Sequence, residues 1–152
     1  MSIWWSLHLR REAASVPLAR RLLLGAMETA GVDPDISYDL SVALSEACAN
    51  AVEHGGDAVS GSAPGAYRVT AYLDGEKCRI EVADSGPGFP ARRAHRNAVP
   101  ARTGWLPEHG RGLGLIEQLA DHVHFRNRPG RGAVVSFDKI LKWREGALLK
   151  VS

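Results

Sequence analysis

Three groups of residues in this sequence combine types and spacings that suit chemistry. The first is Glu46, Asn50 and His54, each four residues from the next, with Glu53 alongside. Four-residue spacing lines side chains along one stripe of a helix. Asn is a poor interior helix residue, roughly half a kcal/mol less favourable than Ala. Its neighbours Ala43, Ala47, Ala49 and Ala51 are all small, so a ligand can approach the helix face around Asn50. An amide oxygen there can ligate a hard cation such as Mg²⁺. Glu46, one turn earlier, can act as a general base towards a hydroxyl or a water. Taken alone, the same stripe also fits a solvated polar face.

The second group is Asp84-Ser85-Gly86-Pro87-Gly88, directly after an alternating apolar run. An Asp at a strand end can accept a hydrogen bond from an exocyclic amine, and the glycines let backbone approach a flat base and adopt positive φ. By itself the pentapeptide also fits an ordinary glycine turn. The third group is His109-Gly110-Arg111-Gly112-Leu113-Gly114-Leu115. Glycine-rich backbone that opens a helix presents amide donors and a favourable dipole to phosphate, and Arg111 can add a charge-assisted contact. No Gly-Lys-Ser/Thr follows, so this is not a P-loop. The strand, glycine turn and distant acid of a dinucleotide-binding unit are missing too.

The elements that must position these groups follow from periodicity. Residues 3–9, rich in aromatic and branched side chains, predict a first strand. Residues 13–30 carry Val16, Leu18, Leu22, Leu23 and Met27 in a helical pattern, with Pro17 in the first turn and Gly31 after the end. Residues 36–54 form a second helix with Asp35 as its N-cap; Ile36, Leu40, Leu44, Ala47 and Ala51 face the core, and Gly55 and Gly56 stop it. Residues 67–73 and 77–83 predict a hairpin around Asp74-Gly75-Glu76, with Cys78, Ile80 and Val82 on the buried face. Residues 85–111, rich in Gly and Pro, have the length of a functional lid. A short helix over 112–121 and a closing hairpin of 123–127 with 133–140 follow, and the tail from 141 extends the last strand or adds a helical turn. Antiparallel pairs with helices between them predict a single α/β domain over residues 1–152. It is a two-layer sandwich with helices on one face of a mixed, largely antiparallel sheet.

Glu-x-x-x-Asn on a helix, then Asp-x-Gly-x-Gly after a strand, then Gly-x-Gly-x-Gly before a helix resembles the N, G1 and G2 boxes of the GHKL superfamily. The resemblance covers residues 36–137. It implies the Bergerat type of ATP-binding fold. The run Val42-Ala43-Leu44-Ser45-Glu46-Ala47-Cys48-Ala49-Asn50-Ala51-Val52-Glu53-His54 is most similar to the small bacterial anti-sigma-factor serine kinases, the RsbW/SpoIIAB group. That resemblance implies ATP and Mg²⁺ as cofactors, Glu46 as the base, Asn50 on Mg²⁺ and Asp84 on adenine. The site would extend over His54, Gly86, Gly88, Gly110, Arg111, Gly112, Leu113 and Gly114. It implies as partners a STAS-type antagonist, whose serine is phosphorylated, and a sigma factor; relatives also form homodimers through the N-terminal half, where Ile3, Trp4, Trp5 and Leu7 lie. One position departs from the pattern: the family often has Gly-Thr near the adenine, and here Ala133 follows Gly132. The loss of that hydroxyl motivates a second reading, an ATP-gated binding switch without transfer. A third is the catalytic half of a split histidine kinase.

Composition bounds these readings. The chain has 152 residues, 45% hydrophobic and 24% charged, which suffices for a core without metal or disulfide. Cys48 and Cys78 lack metal-site spacing and sit in apolar patterns, as buried free thiols would. A net charge of +2, and no recognition helix with a basic face, argue against direct nucleic-acid binding. No run approaches the roughly 20 apolar residues of a membrane span, and the first residues do not resemble a signal peptide. A cytoplasmic location is therefore expected.

Overall fold

The computed structural model describes residues 2–54, 65–84, 113–128 and 132–147. The chain runs β1 (Ile3–Arg10), α1 (Ser15–Ala30), α2 (Pro34–His54), β2 (Ala66–Leu73), β3 (Lys77–Asp84), α3 (Leu113–Leu119), β4 (His122–Arg128) and β5 (Gly132–Ile140). The five strands form one sheet in the order β1-β2-β3-β5-β4. Each described pairing is antiparallel, so the sheet is not mixed among the described residues.

Alternation along the strands decides which face the helices cover. Tyr67, Val69, Ala71 and Leu73 of β2 are buried, as are Cys78, Ile80, Val82 and Asp84 of β3. Val82 lies opposite both Val69 and Val135 in register, so the apolar set continues across three strands. On β1 the sides divide: Ile3, Trp5 and Leu7 pack against the core, while Trp4 is 66% exposed. The helices meet this face with Ala19, Leu23, Met27 and Ala30 of α1 and with Ile36, Leu40, Ala43, Leu44, Ala47 and Ala51 of α2. α1 packs along α2, and α2 packs on α3 and β3.

The helix ends have local causes. Gly31 ends α1 at φ 95°, and its N–H reaches the carbonyl of Met27 at 3.0 Å while that of Val32 reaches the same oxygen at 3.0 Å. Glycine adopts this left-handed conformation without the Cβ penalty. α2 starts two residues earlier than its apolar pattern. Asp33, not Asp35, is the cap: its Oδ1 accepts the Asp35 N–H at 2.8 Å, and its carbonyl accepts the Ser37 N–H at 3.0 Å. Pro34 then occupies the first helical position, where a missing N–H costs nothing. α1 begins at Ser15, and α3 ends at Leu119, short of the expected 121. Gly55 and Gly56 lie outside the described residues.

The tail does neither of the things expected of it over its described part. β5 stops at Ile140, and the chain turns off the sheet to form a single bridge between Trp143 and Val32. The Arg144 N–H donates to Gly31 O at 2.9 Å, its guanidinium donates to Glu28 O at 2.6 Å, and the Trp143 indole donates to Gly75 O at 3.2 Å. The tail therefore ties the α1–α2 junction to the β2–β3 turn.

Candidate functional site

Among the described residues, Asp84, Ala133 and the C-terminal turn of α2 lie at one end of the sheet. Arg10 pairs with Ala66, and Tyr67 pairs with Asp84, so the end of β1, the start of β2 and the end of β3 lie together. Ala133, near the start of β5, joins them: its N–H donates to Asp84 Oδ1 at 3.3 Å. The C-terminal turn of α2 reaches the same end, because the Arg11 guanidinium donates to Ala51 O at 3.2 Å and Val52 O at 2.6 Å.

Asp84 is 6% exposed and shares the helix-facing side of β3 with Val82. A carboxylate taken out of water needs hydrogen-bond donors in place of its hydration, and the Ala133 amide is one. Asp84 and Ala133, which the family resemblance placed together around an adenine, are therefore direct neighbours. Replacing a Thr by Ala at 133 removes a hydroxyl and leaves this backbone contact intact.

Beside Asp84, Tyr67 is 3% exposed and its hydroxyl bonds Ser15 Oγ, which donates onward to Glu12 O at 2.8 Å. Tyr67 also hydrogen-bonds the Cys48 side chain on α2. Burial pushes the Cys48 thiol up to about 12, and the Tyr67 hydrogen bond offsets only part of that rise. Cys78 is pushed up as well, first by burial and then by Asp138. Both cysteines are buried and free, neutral thiols rather than nucleophiles. One hydrogen-bonded chain thus fixes the start of α1, the middle of α2 and the strand beside Asp84.

On α2, Asn50 is 4% exposed, and its Oδ1 has no hydrogen-bond partner among the described residues. Leaving a buried amide oxygen unsatisfied costs about 1–3 kcal/mol. A bound cation would offset that cost, and an amide oxygen is a suitable donor for Mg²⁺. Glu46, one turn earlier, is half-buried and has no ion-pair partner among the described residues. His54 is half-buried, with Nε2 3.4 Å from the carboxylate of exposed Glu53.

The third glycine group is only partly described. Leu113 is 3% exposed and its side chain belongs to the hydrophobic core, so only its backbone is available to a ligand. Gly114 sits in the first turn of α3. The far end of α3 is held by Lys139, whose ammonium donates to Leu119 O at 2.8 Å, and by Asp121, whose Oδ2 accepts the Ile140 N–H at 2.6 Å. Gly86, Gly88, Gly110, Arg111 and Gly112, with the lid over 85–111, lie outside the described residues.

Sequence reasoning missed Tyr67, Ser15 and Arg11. No local spacing signals them, since the Arg11–Ala51 and Ser15–Tyr67 contacts join residues 40 and 52 positions apart. It also missed Glu117, a carboxylate on α3 that is 3% exposed; its apolar neighbours were the only available cue.

Comparison with known proteins bears on the family and the fold. The family model of the histidine kinase-like ATPase domain matches residues 9–139. The serine-protein kinase RsbW of Bacillus licheniformis is 33% identical over 134 residues, covering 83% of this chain and 78% of its own. The anti-sigma F factor of a Thermoanaerobacter species is 29% identical, covering 74% and 77%. The crystal structure of the RsbU and RsbW domains of Rv1364c from Mycobacterium tuberculosis superposes with a TM-score of 0.62 at 21% identity. It covers 97% of this chain but 35% of that longer one, a likeness that shows the fold.

Proposed function

Because this chain belongs to the histidine kinase-like ATPase domain family, we propose that it is an ATP-dependent protein serine/threonine kinase of the anti-sigma-factor type. The observation that carries this reading is the buried Asn50 Oδ1, which has no hydrogen-bond partner among the described residues, one helical turn after the half-buried Glu46. The similarity to serine-protein kinase RsbW and to anti-sigma F factor supports the reaction class.

In this reading Asp84 accepts the exocyclic amine of adenine, while the Ala133 N–H holds the carboxylate in place. Asn50 would hold Mg²⁺, which would supply positive charge against the phosphates. The backbone over Gly110, Arg111, Gly112, Leu113 and Gly114, with Gly86, Gly88 and His54, frames the phosphates. Glu46 takes the proton of the substrate serine as its oxygen bonds the γ-phosphorus and the bond to the β-phosphate oxygen breaks, releasing ADP. Phosphoryl transfer needs position and charge neutralisation more than covalent help, and this residue set supplies those.

The partners of this reading are a STAS-type antagonist, which carries the serine, and a sigma factor, with cytoplasmic action. Self-association through the N-terminal half has edge strand β1 and its exposed Trp4 to use. Among the described residues no helix is long and apolar enough to cross a membrane. The test is incubation with γ-labelled ATP, Mg²⁺ and a STAS-type antagonist. Label on a serine of the antagonist supports the reading; tight ATP binding with no transfer would instead favour an ATP-gated switch.

A further inference from the structure

We infer that Arg11 is a positioning residue for the metal-bearing end of α2, setting Asn50 in place from outside the helix. This rests on the proposal that Asn50 holds Mg²⁺.

A helix ends with four carbonyls that have no intrahelical partner. In α2, which stops at His54, these belong to the last turn, directly after Asn50. Two of them, Ala51 O and Val52 O, accept the Arg11 guanidinium through Nε at 3.2 Å and Nη2 at 2.6 Å. A planar guanidinium presents both N–H groups in one rigid fork, so two successive carbonyls are fixed by one side chain. Its positive charge also lies at the negative end of the helix dipole.

Arg11 is itself anchored. Its backbone N–H donates to Gly65 O at 2.8 Å, and β1, which ends at Arg10, is paired to β2 through Ala66. The fork therefore references the last turn of α2 to the sheet end where Asp84 lies. Asn50 is one residue before the first carbonyl it holds. If the last turn shifts, the amide oxygen moves relative to Asp84, and with it the metal relative to a nucleotide bound there. Arg11 is half-buried, and its guanidinium is engaged with the helix carbonyls.

The inference separates from a simple capping role by its dependence on metal. A cap lost from the fold lowers stability and weakens nucleotide binding alike with and without Mg²⁺. A positioning residue acts on the metal-dependent part. Titration calorimetry with a non-hydrolysable ATP analogue, in excess Mg²⁺ and again in EDTA, reads the difference for Arg11→Ala, Arg11→Lys and Asn50→Ala, with thermal melting alongside. Residues that orient a metal ligand are worth about 10–100-fold in affinity. Arg11→Ala is therefore expected to weaken binding about tenfold in Mg²⁺ and under about twofold in EDTA. Arg11→Lys, which keeps the charge and one donor, should fall between it and the unaltered protein; it also serves if Arg11→Ala does not fold. Equal losses with and without Mg²⁺, or no loss in either, overturn the inference. If Asn50→Ala shows no Mg²⁺-dependent loss, the metal assignment itself fails, and the inference falls with it for that separate reason.

Discussion

Asp84 and Ala133 meet across the β3–β5 junction, with the Ala133 N–H donating to the Asp84 carboxylate at 3.3 Å. The carboxylate is thereby fixed by backbone, whatever side chain stands at 133. This relationship separates two effects that substitution at 84 would otherwise mix. Asp84→Asn keeps an oxygen for the Ala133 amide but replaces the other oxygen with an NH₂ donor. Facing the adenine amine, that donor leaves two N–H groups opposed. The expected loss in ATP affinity is on the order of 2 kcal/mol, roughly thirtyfold, with a melting temperature close to the unaltered protein. Calorimetric titration together with a thermal melt checks both. Unchanged affinity in a folded Asp84→Asn protein would remove Asp84 from the adenine site.

Glu46 and Asn50 share a helix stripe but carry different tasks, so their substitutions should divide binding from transfer. Glu46→Gln keeps shape and hydrogen bonding while removing the proton acceptor. It is expected to bind Mg-ATP as before and to transfer phosphate about 10²–10⁴-fold more slowly, the usual range for a general base. Asn50→Ala removes the buried oxygen that has no partner among the described residues. It should lose Mg²⁺-dependent nucleotide binding while the fold becomes no less stable, because no hydrogen bond is broken. Single-turnover transfer and equilibrium binding, measured on the same preparations, check the pair. Full transfer by Glu46→Gln would take the base role from Glu46.

Much of this was legible because it is local. The alternation of Cys78, Ile80 and Val82 assigns the buried face of β3, and the spacing of Ile36, Leu40, Leu44, Ala47 and Ala51 assigns that of α2. The nearness of Ala133 to Asp84 came from a family pattern rather than from spacing. What sequence could not reach depends on long-range geometry. Arg11 reads in sequence as half of a basic pair, yet it caps a helix 40 residues on. The tail around Trp143 reads as a strand extension or a helical turn, yet the chain turns to pair with Val32. The cap assignment to Asp35 failed for a different reason: Pro34 is a favoured first helical residue, which moves the cap back to Asp33.

Tyr67 links Ser15, Cys48 and the strand opposite Asp84, so its hydroxyl should matter to the fold more than to chemistry. Tyr67→Phe leaves the Ser15 hydroxyl still donating to Glu12 O but removes its second contact and that of Cys48. The expected destabilisation is about 1–3 kcal/mol, as for a buried group losing its partner. Urea unfolding measures it. In the unaltered protein Cys48, with its thiol pushed up to about 12, should resist alkylation at neutral pH until the chain is unfolded. Rapid labelling of folded protein would contradict the buried, neutral thiol.

Asp74 gives the β2–β3 turn a dependence on acid. Its Oδ1 accepts the N–H of Glu76 at 2.7 Å and of Lys77 at 2.9 Å. The Lys77 backbone hydrogen bond is the largest cause holding its carboxyl below the ordinary value of 3.8. In the unfolded chain that carboxyl returns to its ordinary value. A carboxyl with a depressed folded value binds protons more readily when unfolded, so its stabilisation is complete above the unfolded value and is lost as pH falls through the folded one. Asp74→Asn should therefore unfold at lower urea than the unaltered protein at about pH 7, and the gap should shrink below about pH 4 as both turns become neutral. The group is exposed enough that solvent keeps the effect small. A gap that stays constant into strong acid would show that the turn is held by the amide contacts alone, without the carboxylate charge.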